Sequence, residues 1–160
     1  MNPIRVLPKA VYDITGCFQH LYDLEKYKVA DRRYQLQETV IIKVITDLGK
    51  LIAEFYPKFE FDGRSGPGIV DWYVPNLGTI EERLAWLIHD GCGYATCLDF
   101  KSTNHLLKLI LRDQVGYSRF KSSIIETAVS LSKSWYGVPD EKDPWYCNLG
   151  KFNLKWEGNK

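Results

Sequence analysis

The chain has no dominant charge, no long apolar run and no paired cysteine motif, and each absence excludes a class of protein. Its 160 residues carry 21 Lys and Arg against 20 Asp and Glu, a formal net charge of +1. A nucleic-acid partner is not expected, because phosphate binding requires a basic stripe that releases counterions. No run of like charges marks an interaction tail. No apolar stretch reaches the roughly 20 residues that a membrane-spanning helix needs, so no transmembrane segment is expected. The opening Met-Asn-Pro-Ile-Arg lacks the apolar region of a secretory signal. The four cysteines (Cys17, Cys92, Cys97 and Cys147) do not form the C-x-x-C pairs of structural zinc. They read as reduced thiols, mostly buried, of a protein made in a reducing cytoplasm. Internal repeats, low-complexity segments, P-loops, Gly-x-Ser-x-Gly elbows and H-E-x-x-H motifs are all missing.

What is present suits a single domain over residues 1–160, with 45% hydrophobic residues. A chain of this length buries about two-thirds of its unfolded surface on folding. The 5 Trp, 10 Tyr and 7 Phe could serve recognition, but in a small domain they more often fill the core.

The first half reads as strand and the second as helix, which places the chain in the α+β class. Pro8 confines any strand in 4–14 to an edge or a bulge. Residues 18–29 fit a short helix or an irregular strand equally. Tyr34, Leu36, Val40, Ile42 and Val44 alternate with polar neighbours, and the later positions are β-branched. A turn at 47–50 should lead into a return strand over 51–61, bulged at Pro57 and carrying Phe55, Phe59 and Phe61. Asp62-Gly-Arg-Ser-Gly-Pro-Gly68 must be a shaped loop.

The apolar period then changes from two to about 3.6. Thr79 and Glu82 fit a capping box, and Ile80, Leu84, Leu87 and Ile88 form an apolar stripe on a helix expected to end at Gly91 or Gly93. A second helix is expected from Ser102 with Leu106, Leu107, Ile110 and Leu111 on one face. A third is expected over 118–135, with Phe120, Ile124, Ala128, Val129 and Leu131 inward. The alternating tail at 152–156 suggests a final strand.

The chemistry gathers around His89–Asp90. Consecutive helical residues are rotated about 100° apart, so the pair is not a hydrogen-bonded dyad by itself. It suits a site in which the imidazole handles a proton and the carboxylate binds a cation. This division of labour resembles that of phospholipase A2 enzymes. The resemblance implies His89 as general base and Asp90, with Gly66 and Gly68 of the loop, as calcium ligands. Cys92 falls in the family's H-D-x-C pattern. His105 could handle a proton or a metal, although an exposed histidine at a helix start is the commoner case. Cys92 or Cys97 near His89 permits a Cys–His nucleophile, while inert buried thiols are far commoner. His20 lies in the unassigned stretch and receives no role.

A broader resemblance covers residues 30–137. Asp62-Gly63-Arg64-Ser65 with Pro67, followed by Leu87-Ile88-His89-Asp90, is similar to the D-G-x-S-x-P and H-D-x-x-Y motifs of an uncharacterised family of small bacteriophage domains. Its members continue with A-D-x-x-F on the next helix. The resemblance implies a phage origin and an α+β fold, and supplies no activity. Two positions depart from it: Gly93 replaces the tyrosine, with Tyr94 one residue late, and Asn104 replaces the aspartate. An amide can orient an imidazole but cannot stabilise its cation as a carboxylate does. Asp99 is the carboxylate that could substitute.

Two functions follow as expectations. One is a non-catalytic virion component or host-interaction module, located in the virion or the host cytoplasm and partnered by other viral proteins. The other is a calcium-dependent hydrolase acting on lipid or the cell envelope, with His89 as base. Gly93 and Asn104 favour the first.

Overall fold

In the computed structural model the described residues are 10–16, 24–30, 33–47, 49–61, 78–131, 140–142 and 145–158. The strongest sequence pattern builds the centre of the main sheet. Strands β4 (Val40–Thr46) and β5 (Gly49–Phe55) pair antiparallel from Val40 opposite Phe55 to Thr46 opposite Gly49. Their alternate residues Val40, Ile42, Val44, Leu51, Ala53 and Phe55 are buried, as the two-residue period of a half-buried strand requires. Strand β1 (Ala10–Gly16) pairs with β4 at one edge, and β7 (Phe152–Gly158) pairs with β5 at the other. The order is β1-β4-β5-β7. The edge placement of β1 and the strand in the tail follow the sequence reading.

The expected return strand over 51–61 is two strands. β5 stops at Phe55, and Lys58 turns the chain at φ 75°. The short β6 (Glu60–Phe61) then joins a second sheet with β2 (Lys28–Ala30) and β3 (Arg33–Gln35). Within 18–29, a 3-10 turn at Leu24–Tyr27 precedes β2. Asn148 finishes the small sheet with its side chain. Its Oδ1 accepts the Glu60 N–H and its Nδ2 donates to the Glu60 carbonyl, both at 2.7 Å. The amide thereby occupies the place of a neighbouring strand and satisfies both backbone groups.

The helices follow. α1 (Ile80–Ala95) begins with the expected capping box: Thr79 Oγ1 accepts the Glu82 N–H at 3.3 Å and Glu82 Oε1 accepts the Thr79 N–H at 3.1 Å. It does not end at Gly91 or Gly93 but passes through both and stops at Thr96, whose φ is 52°. α2 (Phe100–Ile110) starts two residues before Ser102, because Asp99 caps it and Ser102 and Thr103 turn into the core. It loosens into one π-type turn at Leu111–Val115, and Gly116 at φ 94° ends it. α3 (Arg119–Ser130) is capped by Ser118 and ends earlier than expected. Its buried positions are Ser122, Ile125, Ala128 and Val129, which places Phe120 and Leu131 outside at 74% and 75% exposure. Of the expected inward stripe, Ala128 and Val129 are buried, Ile124 is partly buried, and Phe120 and Leu131 face outward while Ser122 and Ile125 turn in.

One apolar core joins the helices to the sheet. Phe59 is its hub. Its ring stands 5.0 Å from that of Phe55, 6.1 Å from Tyr94 and 6.2 Å from Phe152, each edge to face, the geometry that ring quadrupoles favour. Trp86, Tyr34, Tyr94, Phe55, Phe59 and Phe61 are fully buried, so these six aromatics are core.

α1 reaches the sheet at Gly91. A Cβ there would lie 2.6 Å from Phe55 Cζ and 3.0 Å from Leu154 Cδ2. Substituting Ala would gain about 1 kcal/mol of helix propensity. Overpacking a core costs about 1–3 kcal/mol, and the Phe55 ring is already packed edge to face against Phe59. Gly91→Ala is therefore expected to lower the urea midpoint while leaving the slope of unfolding unchanged. A midpoint equal to or above that of the parent would show that the contact is slack.

Candidate functional site

Three helices bring the polar cluster together. His89 and Asp90 lie on the buried side of α1, more than a turn before its end. Trp86, one turn earlier, packs its ring against His89 edge to face at 5.8 Å. Asn104 of α2 places Oδ1 2.8 Å from His89 Nε2, and its Nδ2 donates to Ser130 Oγ on α3 at 3.3 Å. A carbonyl oxygen can only accept, so Nε2 carries the proton in this arrangement. On the other side of the ring, Asp90 Oδ1 stands 3.8 Å from Nδ1. That is outside hydrogen-bond range, as expected for neighbours on one helix.

The cluster is enclosed. His89 is 6% exposed, Asp90 3% and Asn104 1%. Ser130, at the end of α3, lies at the surface. A polar chain thus runs inward from the Ser130 hydroxyl through the Asn104 amide to the His89 ring. It links α1, α2 and α3 with directional bonds.

Of the residues singled out in the sequence, the fold gathers His89, Asp90 and Asn104. Gly66 and Gly68, with the whole 62–68 loop, and His20 lie outside the described residues. Asp99 does not take the aspartate's place beside His89: its carboxylate accepts the Ser102 N–H at 2.6 Å and caps α2. His105 is half-buried rather than exposed. Its Nδ1 lies 2.8 Å from Glu126 Oε2, and Lys108 Nζ lies 3.6 Å from the same carboxylate, a charged clasp between α2 and α3. Cys92 is buried, Cys97 is partly exposed, and both are free thiols.

Calcium takes six to eight oxygen ligands. Among the described residues no group of three or more His, Cys, Asp or Glu is placed to hold a metal. Asp90 is a single enclosed carboxylate beside an imidazole, so the described residues do not fit a calcium site. No helix among them is long and apolar enough to cross a membrane.

Helical spacing already places Trp86 one turn before His89; the structure adds the edge-to-face contact. Sequence reasoning missed Ser130. Ser130 is 26 residues from Asn104, and no local pattern announces it.

Comparison with protein-family models, with curated proteins and with solved structures returned no match for this chain.

A second buried acid braces the start of α1. Glu82, 6% exposed, accepts a short hydrogen bond from the Tyr117 hydroxyl. Burial first, and this bond second, raise the Tyr117 phenol well above its ordinary value of 10.0.

Two outcomes test these contacts. Asn104→Leu leaves the His89 N–H without its acceptor, and unfolding free energy is expected to fall by about 1–3 kcal/mol in urea titration. A change near zero would mean that the bond does not join the helices. A raised phenol pKa stabilises the fold fully below the unfolded value and loses that contribution as pH rises toward the folded value. The stability gap between the parent and Tyr117→Phe should thus be constant below pH about 10 and shrink above it. A gap that stays constant through the alkaline range would contradict the bond to Glu82.

Proposed function

We propose that this chain is a non-catalytic, phage-encoded protein, either a virion component or a host-interaction module, acting in the virion or the host cytoplasm beside other viral proteins. The phage origin rests on the motif resemblance at 62–67 and 87–90. The observation that carries the non-catalytic reading is the enclosure of His89. A general base needs a free lone pair within about 2.6–3.2 Å of the proton it removes. Here Nε2 carries its proton toward Asn104 Oδ1 at 2.8 Å, the lone pair lies on Nδ1, and that nitrogen is buried in a residue only 6% exposed. This enclosure supports reading the ring as an interior tie between helices rather than as a group that meets substrate.

One observation favours a second reading, a hydrolase with His89 as base. Asn104 orients the imidazole at normal hydrogen-bond length, which is the support that a base requires. The readings separate in two measurements. Mass spectrometry of purified virions is expected to find the protein among the particle components, and its absence there would remove the virion version. Incubation of the folded protein with calcium and mixed phospholipid vesicles is expected to release no fatty acid. Release that disappears in His89→Gln would overturn the non-catalytic reading.

A further inference from the structure

The end of α1 carries a second arrangement that the His89 cluster does not use. Thr96 adopts the left-handed conformation at φ 52° and donates its N–H to the Cys92 carbonyl at 2.9 Å. This turn folds the chain back over the last helical turn, and it brings the residue after the left-handed position against the one five places earlier. Those two residues are Cys97 and Cys92, and the two thiols lie close enough to perturb each other. The position that an apolar contact usually fills is thus filled by two thiols. Cys92 is fully buried, whereas Cys97 is partly exposed.

We propose that Cys92 and Cys97 form a redox-active dithiol, which a small-molecule disulfide of the glutathione class converts to an intramolecular disulfide across the C-terminal turn of α1. The geometry assigns the roles. Cys97 meets solvent and is the attacking group; Cys92 lies behind it and is the resolving group. The electrostatics agree with this order. The neighbouring Cys92 thiol holds the Cys97 thiol below its ordinary range against the opposing effect of burial, aided by the backbone N–H groups of Cys97 and Leu98. The same contact, followed by burial, pushes the Cys92 thiol up. Thiolate is the reactive form, so the partly exposed member reacts first.

In the first step the Cys97 thiolate attacks one sulfur of the small disulfide. A mixed disulfide forms on Cys97, and the first small thiolate leaves. Cys92 then gives up its proton, and its sulfur attacks the Cys97 sulfur. The Cys92–Cys97 bond forms as the second small thiolate is expelled. The two protons lost by the protein end on the two small thiols. The protein is oxidised by two electrons and the small disulfide is reduced by the same two. The new bond would fasten the connection from α1 to Asp99, the cap of α2, and so the link between the helices that carry His89 and Asn104.

The test uses the full chain, equilibrated with graded ratios of reduced to oxidised glutathione, quenched in acid, alkylated and mapped by mass spectrometry. The expected result is loss of two alkylatable thiols under oxidising ratios and a linked Cys92–Cys97 peptide, both reversed by excess dithiothreitol. Cys92→Ser should retain glutathione on Cys97, because the resolving thiol is gone. Cys97→Ser should form neither the disulfide nor an adduct at Cys92. Failure to link the pair at any ratio while circular dichroism shows a folded chain would overturn the proposal, as would oxidation directed to Cys17 or Cys147 instead. Should Cys92→Ser not fold, the order of alkylation in the native parent decides. Cys97 must be labelled before Cys92, and equal or reversed order refutes the assigned roles.

Discussion

The rest of the structure depends on the absence of a side chain at Gly91. α1 meets the sheet there, with the Phe55 ring and Leu154 occupying the space that a methyl group would need. Glycine in a helix interior is unfavourable by about 1 kcal/mol, and two of them, Gly91 and Gly93, lie in the last two turns of α1. The helix persists because tertiary packing contributes more than propensity takes away. Helix and sheet approach closely, Phe55 and Leu154 come from paired neighbouring strands, and the contact fixes both the depth and the rotation of α1. The neighbouring His89 and Asp90 are thereby turned inward between helices, where both are buried.

Burial then dictates what the polar residues must do. An imidazole N–H without an acceptor in this interior would cost about 1–3 kcal/mol, more than a formed hydrogen bond returns. Asn104 meets that requirement from α2, and its other end is met by Ser130 of α3. Each bond is modest in net value; together they admit few alternative arrangements of the three helices. Apolar packing alone tolerates rotation of one helix against another, whereas a chain of two directional bonds does not. The clasp of His105, Lys108 and Glu126 links α2 to α3 a turn away, but it is half-exposed and screened, so the enclosed chain contributes more to uniqueness of packing.

The legible parts of the sequence were those governed by neighbours in the chain. The alternation from Val40 to Val44 is a strand because nothing else buries every second side chain, and Thr79 with Glu82 makes a capping box from local bonds alone. The parts that went astray were decided at a distance. Gly91 reads as a helix end unless the sheet beneath it is known. The chain from Leu51 to Phe61 reads as one strand unless Asn148, 88 residues from Glu60, is known to hold β6 in a separate sheet. Phe120 and Leu131 read as inward by composition, yet the caps at Ser118 and the buried Ser122 set the rotation of α3. Within the candidate site, His89, Asp90 and Asn104 were legible as residues of interest. Their enclosure and the contact with Ser130 were not, since both arise from how three helices meet.

The position of the helix end also changes what the His-Asp pair means. At a C-terminus, an aspartate faces the negative end of the helix dipole, and tolerance of that cost would have argued for a functional carboxylate. Because α1 continues to Ala95, Asp90 lies more than a turn inside, where the dipole effect has largely faded and that argument lapses. The helix end falls instead between Cys92 and the left-handed Thr96, where the Thr96 N–H donates to the Cys92 carbonyl. The turn that makes this bond is the one that brings Cys97 back over Cys92. One shift in the helix end therefore weakens the case for chemistry at His89 and places the more reactive pair of side chains one turn further along.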